Sequence, residues 1–346
     1  MTTAERPADI HESADESADE SADEMARTQT SEVTARAVAF VAARRDRAEA
    51  LGRELAALES DPDAFAAALR DAMTELADPE YREGEQRVAP GLGPVLGVRW
   101  PLNAAISRGF RNATRGERTT QLLFVADRLF REGFLEIRWF AFGLLERTVA
   151  SEPERTWQLL RRASREAGDW ITVDTLAHPV GKGILFEPYR WAELEQLAFS
   201  PSTWERRLVG STIATIPFID RKGGRDRGVA VHGLGLVDQL IGDAEPDVQK
   251  ALSWALRSLV LVDPEAVESF CVEQAAIARD QGDGHRAWVI RDSLPKLNAP
   301  VAARLKADLD GIRRKPGARS TSKASETAAQ FMEMGLGRPM PEPPLA

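Results

Sequence analysis

Trp170 and Asp174 stand four residues apart in the run Asp169-Trp170-Ile171-Thr172-Val173-Asp174. On a helix that spacing stacks both side chains on one face, about one turn apart. An aromatic face beside a carboxylate suits a guest that is flat and positively charged. The same pair also arises as a packed Trp beside a solvated Asp, and by spacing alone that plainer reading is the commoner one.

Other candidates carry similar alternatives. Trp254 follows Leu252 and precedes Ala255 and Leu259 on an apolar helical pattern, which by itself reads as core. Arg206 and Arg207 read as solvated cations. Arg221-Lys222-Gly223-Gly224-Arg225-Asp226-Arg227 could grip phosphates or be an ordinary charged turn. His178-Pro179 reads as the end of a helix. The histidines at 11, 178, 232 and 285 and the lone Cys271 are too scattered to hold a metal. No Gly-rich phosphate loop or Ser-His-Asp spacing occurs, and no cofactor is expected.

The elements that must position these residues are helical. From Glu32 to Leu58 apolar residues recur at three- and four-residue steps, and Asp61-Pro62 starts the next helix. The same period marks 121–131, 135–149, 156–166, 191–197, 204–216, 229–241, 248–262 and 265–279. Pro153, Pro201, Pro246 and Pro264 fall near the starts of following helices. No alternating strand pattern appears. Helix pairs recur at roughly 35 to 45 residues, the range of helical-hairpin repeats. The expected fold is all-α, a solenoid of antiparallel helix pairs with a concave binding face; a compact non-repetitive bundle is the alternative.

Three domain regions are expected. Residues 1–30 hold three Glu-Ser-Ala-Asp units and lack the apolar side chains that offset ordering entropy, so they read as a disordered acidic tail. Residues 31–315 form the helical body. Residues 316–346, rich in Pro, Ser, Ala and Gly, read as a second tail. The net charge of −9 belongs almost wholly to residues 1–24, which carry −8. A near-neutral body gives no charge-based support for nucleic-acid binding. One cysteine permits no internal disulfide, and no signal or membrane-spanning run is present. A cytoplasmic monomer is the expectation.

Four stretches, in this order, resemble the DNA alkylation repair glycosylases of the AlkD type, built from HEAT-like helical repeats. Leu96-Gly97-Val98-Arg99-Trp100-Pro101 is similar to that family's Gly-Val-Arg-x-Pro motif. Trp170-Ile171-Thr172-Val173-Asp174 resembles Trp-Asp-Thr-Val-Asp. Ser202-Thr203-Trp204-Glu205-Arg206-Arg207 resembles Asn-x-Trp-x-x-Arg, and Val248-Gln249-Lys250-Ala251-Leu252-Ser253-Trp254-Ala255-Leu256-Arg257 resembles Gln-Lys-Ala-x-x-Trp-x-Leu-Arg. The resemblance runs from about Leu96 to Leu297. It implies Asp174 as the catalytic carboxylate, with Trp170 and Trp254 lining the site. It also implies Arg207 and Arg257, with Arg206 and Lys250 as further candidates, on the DNA backbone. The chain departs from the pattern at Asp169, where Trp is common, and at Ile171, where Asp is common.

That resemblance implies hydrolysis of the N-glycosidic bond of cationic N3- or N7-alkylated purines in double-stranded DNA. Such a base already carries positive charge and leaves without protonation, so the reaction needs a fixed negative charge near C1′ and a positioned water. The family is understood to hold the duplex with the lesion still stacked, and no deep base pocket can be read from the sequence. The competing expectation is a non-catalytic helical-repeat scaffold binding DNA or protein, which would not need Asp174, Trp170, Trp254 and Arg207 as a set.

Overall fold

Short polar side chains and prolines set the helix starts. Asp61, Asp169, Ser202 and Asp263 each accept a hydrogen bond from a backbone N–H three residues on, and Asp226 from one two residues on. Pro62, Pro153, Pro246 and Pro264 occupy first-turn positions whose N–H would have no intrahelical partner. Pro201 falls just outside its helix, ahead of the capping Ser202.

The computed structural model describes residues 12–88, 92–116 and 119–333. Among these residues the fold is all-α, without a strand. Four helices begin the chain: α1 (Glu12–Leu55), α2 (Pro62–Glu75), α3 (Pro79–Val88) and α4 (Trp100–Ala113). Five consecutive hairpins follow. They are α5 (Thr120–Leu129) with α6 (Leu135–Thr148), α7 (Pro153–Glu166) with α8 (Trp170–Phe186), and α9 (Trp191–Ala198) with α10 (Thr203–Ile219). The last two are α11 (Arg227–Leu240) with α12 (Pro246–Leu259), and α13 (Pro264–Gln281) with α14 (Gly284–Ser293). Two more helices, α15 (Ala299–Asp308) and α16 (Lys323–Glu333), close the described chain.

Each hairpin packs on itself, and the second helices stack in one continuous row from α4 through α6, α8, α10 and α12 to α14. That layering is the solenoid expected from the spacing of helix pairs. Backbones come close at chosen points. A Cβ on Gly210 of α10 would lie 2.8 Å from the Ala251 carbonyl carbon of α12, so only glycine permits that approach.

Three sequence expectations change. His178-Pro179 does not end a helix: Pro179 sits inside α8, and Val180 and Ile184 beyond it are buried. Their packing outweighs the one backbone hydrogen bond that proline removes. The expected N-terminal tail is helical from Glu12, while residues 1–11 lie outside the described residues. The Ala and Glu of the repeat are good helix formers, and a helix nucleated where α1 docks on α4 extends at one hydrogen bond per added residue.

The expected C-terminal tail is also ordered as far as Glu333, with 334–346 outside the described residues. Its small side chains are what let it dock. Thr321 N donates to Gly242 O at 2.9 Å, Ala244 N to Ser320 Oγ at 2.8 Å, and Ser322 and Ala324 are buried. Polar anchoring replaces the apolar burial that the composition lacks. No helix among the described residues is long and apolar enough to cross a membrane.

Candidate active site

The Leu96–Pro101 motif is a positioning device. Glu136, fully buried on α6, accepts backbone hydrogen bonds from Leu96 N (3.0 Å), Gly97 N (2.6 Å) and Val98 N (3.0 Å). Gly97 needs its glycine, because its φ of 94° is left-handed. Arg99 Nε donates to Asp78 Oδ2 at 2.7 Å. This loop delivers Trp100 to the start of α4, where its ring is 53% exposed and meets Trp139 of α6 edge-on, centroids 5.3 Å apart.

Those two rings open a groove of about 670 Å³ between α4, α6 and α8. Trp170 and Asp174 also line it, joined by Glu146 and His178, while Arg108, Arg111 and Arg147 form a cationic stretch of wall. The sequence offered no such cavity, because its walls come from helices up to some seventy residues apart. Asp169 explains its own departure from the family pattern. It caps α8, accepting from Thr172 N at 2.7 Å and Thr172 Oγ1 at 2.6 Å, and so fixes the turn that carries Trp170.

Asp174 is held from α10. Arg207 donates to it twice, Nε to Oδ1 at 3.1 Å and Nη2 to Oδ2 at 2.8 Å, and Ser211 Oγ donates to Oδ1 at 2.6 Å. Arg207 Nη1 reaches back to Asp247 O on α12 at 2.6 Å. Gly210 permits that closeness between α10 and α12. Three donors on one carboxylate hold it in one orientation, with little lone-pair capacity left over.

Glu146, the groove's other carboxylate, lies 3.3 Å from His178 Nδ1 and 3.2 Å from Lys182 Nζ. Burial alone would raise its pKa. The His178 hydrogen bond and the His178 and Lys182 charges outweigh that and lower it to about 2.

The structure corrects the phosphate assignments. Arg207 is 5% exposed and committed to Asp174, so it is the partner of the carboxylate and has no free face for a phosphate. Arg206 is spent on structure: Nε donates to buried Asp243 at 2.7 Å, and Nη1 to the carbonyls of Ser200 and Pro201. Arg257 is half-buried and donates to the Asp292 carboxylate, to Asp292 O and to Ser253 Oγ. Lys250 is exposed, with Asp247 at 3.7 Å, and stays available. Trp254 is half-buried against the core on α12 and does not line the groove.

Sequence reasoning missed Trp100 as a wall, and also Trp139, Ser211 and Glu146. Only Trp100 carried a signal, a large ring placed directly after the Gly-Val-Arg turn. The described residues contain no His, Cys, Asp and Glu grouping able to hold a metal.

A family profile described as DNA alkylation repair enzyme matches residues 69–297, well over half of the chain. The chain belongs to this family. The match spans the groove and every proposed site residue from Trp100 to Arg257. No curated protein matches the chain. Family membership assigns the protein to DNA repair, with DNA as its substrate.

Proposed function

We propose that the protein is a monofunctional DNA glycosylase that releases cationic N3- and N7-alkylated purines from duplex DNA. The observation that carries this reading is Asp174, a carboxylate fixed by Arg207 and Ser211 at the edge of a tryptophan-lined groove. In this mechanism the C1′–N bond breaks and its electron pair leaves with the base, cancelling the base's positive charge. The deoxyribose gains oxocarbenium character, water adds at C1′, and the water's proton passes to solvent.

Asp174 and Arg207 sum to no net charge, so their effect on the sugar is that of a dipole and acts only at close range. The carboxylate must therefore touch the sugar, with Trp170 one turn away on the same face. The three donors suit Asp174 to fixed electrostatic stabilisation, whereas a general base needs a lone pair open to water. Lys250 is the surviving candidate for a phosphate contact. Arginine–carboxylate pairs between helices also serve packing here, but Asp174 alone among those carboxylates faces the tryptophan-lined groove, a placement a scaffold would not need.

The test is incubation with a duplex containing one N7-methylguanine, scored for free base and abasic sites. Release of that base, without release of uracil from a matched duplex, is the expected result. Efficient uracil release, or none of either base, would overturn the reading.

A further inference from the structure

Beyond residue 297, where the family match ends, the chain turns strongly basic. Between Asp310 and Glu326 stand Arg313, Arg314, Lys315, Arg319 and Lys323, with no acidic residue among them. Lys323 is held by Asp238, and Arg313 pairs loosely with exposed Asp310 at 3.8 Å. The side chains of Lys315 and Arg319 are exposed and make no ion pair or hydrogen bond among the described residues.

The backbone beneath these charges is pinned. His285 Nε2 lies 3.2 Å from Ala318 O, and Thr321 Oγ1 donates to the Asp283 carboxylate. A Cβ on Gly284 would fall 2.2 Å from Arg313 O, so the segment lies directly on the start of α14. Arg314 crosses Trp288 of α14, its guanidinium 4.8 Å from the ring centroid, and donates to Gln249 of α12 at 3.0 Å. Arg313, Arg314, Lys315 and Arg319 line a cleft of about 110 Å³ there. The one carboxylate in its wall, Asp283, is buried and taken up by Arg286, Thr321 and two backbone N–H groups. Burial first, then the Arg313 and Arg314 charges, lower the pKa of neighbouring Arg291, which Asp310 opposes. Cations fixed this close repel one another, and an anion between them relieves the repulsion.

The cleft shares a rim with the active site. Asp174, Arg207, Lys250 and Trp288 are each the fifth residue of α8, α10, α12 and α14, helices that stack in that order. At ~8 to 10 Å between neighbouring helices the cleft lies ~24 to 30 Å from Asp174, or ~seven to nine base pairs at 3.4 Å each. We propose that Arg313, Arg314, Lys315 and Arg319 form a clamp on the phosphate backbone of the DNA duplex, to one side of the lesion. The clamp rests on the glycosylase reading for its substrate, and the lesion keeps its place in the stack.

The probe is two ~20-pair duplexes carrying one N7-methylguanine on a 2′-fluoro sugar, which resists cleavage, ~four pairs from either the 5′ or the 3′ end of its strand. Strand polarity fixes how the duplex lies, so only one of the two has a flank that reaches the cleft. Wild-type protein should bind that one more tightly. Lys315→Ala with Arg319→Ala should weaken it roughly tenfold and reduce its salt-dependence slope by ~1.8, ~0.9 for each phosphate contact. The other duplex should bind the double variant as it binds the wild type. Lys315→Arg with Arg319→Lys should keep the wild-type affinity and slope. Both side chains are exposed and unpartnered, so these variants should melt with the wild type.

Equal weakening on both duplexes would overturn the proposal, because overall charge and not a clamp would explain it. An unchanged slope on both would overturn it too. Base release by the wild type from the cleavable duplex, with no one-sided loss, would sink the clamp and leave the glycosylase standing. A one-sided loss without base release would do the reverse.

Discussion

Asp174→Asn is the perturbation whose outcome the structure constrains most tightly. Asparagine keeps one oxygen able to accept from Ser211 but places an NH2 group where Arg207 now donates. Two donors then face each other at the former Oδ2; Arg207 keeps Nε on the remaining oxygen and Nη1 on Asp247 O, but its nearest carboxylate is then Asp247 at 3.7 Å. Removing one partner of a buried pair costs about 3–5 kcal/mol. The Asp174 side chain is 22% exposed, so water offsets part of this and ~2–3 kcal/mol is expected. At about 2–4 °C per kcal/mol for a domain this large, the thermal midpoint should fall by ~5–10 °C.

Chemistry should suffer separately. Losing the fixed charge should slow single-turnover base release by about a hundredfold or more at a temperature where both proteins are folded. Adding Arg207→Met removes the orphaned charge, so the double variant should melt above Asp174→Asn alone. Melting of Asp174→Asn with the wild type, or purely additive losses in the double variant, would refute this account of the pair.

Three further outcomes are expected. Ser211→Ala removes a 2.6 Å hydrogen bond from a fully buried hydroxyl and should cost about 1 kcal/mol. It should also slow base release several-fold at unchanged duplex affinity; equal rates would make Ser211 a packing residue only. Glu146 has its pKa lowered from 4.5 to about 2, so the stability it contributes is present above 4.5 and lost as pH falls toward 2. Glu146→Gln should flatten the fall in denaturant midpoint across that window, and a profile as steep as wild type would count against the coupling. Truncation after Lys315 removes the bonds to Gly242 O, to Ala244 N and between Ala318 O and His285 Nε2, and should lower the melting temperature by several degrees. An unchanged melt would mean that the docked C-terminal segment adds nothing.

By itself the sequence determined whatever depends on near neighbours along the chain. Helical period, first-turn prolines and capping Asp or Ser residues are local, so the all-α class and most helix boundaries were legible. Spacing of four likewise determined that Trp170 and Asp174 share a face. Where the reading failed locally, tertiary packing overrode composition, as at Pro179 inside α8 and in the Ser-rich C-terminal segment that docks by hydrogen bonds. Tertiary structure alone decided which charges are free. Arg207 and Arg206 looked like solvated or phosphate-binding cations, yet each meets a carboxylate more than thirty residues away and is consumed by it. The groove was hidden for the same reason. Its rings come from α4, α6 and α8, and a cavity is a property of the space between helices that no single segment encodes.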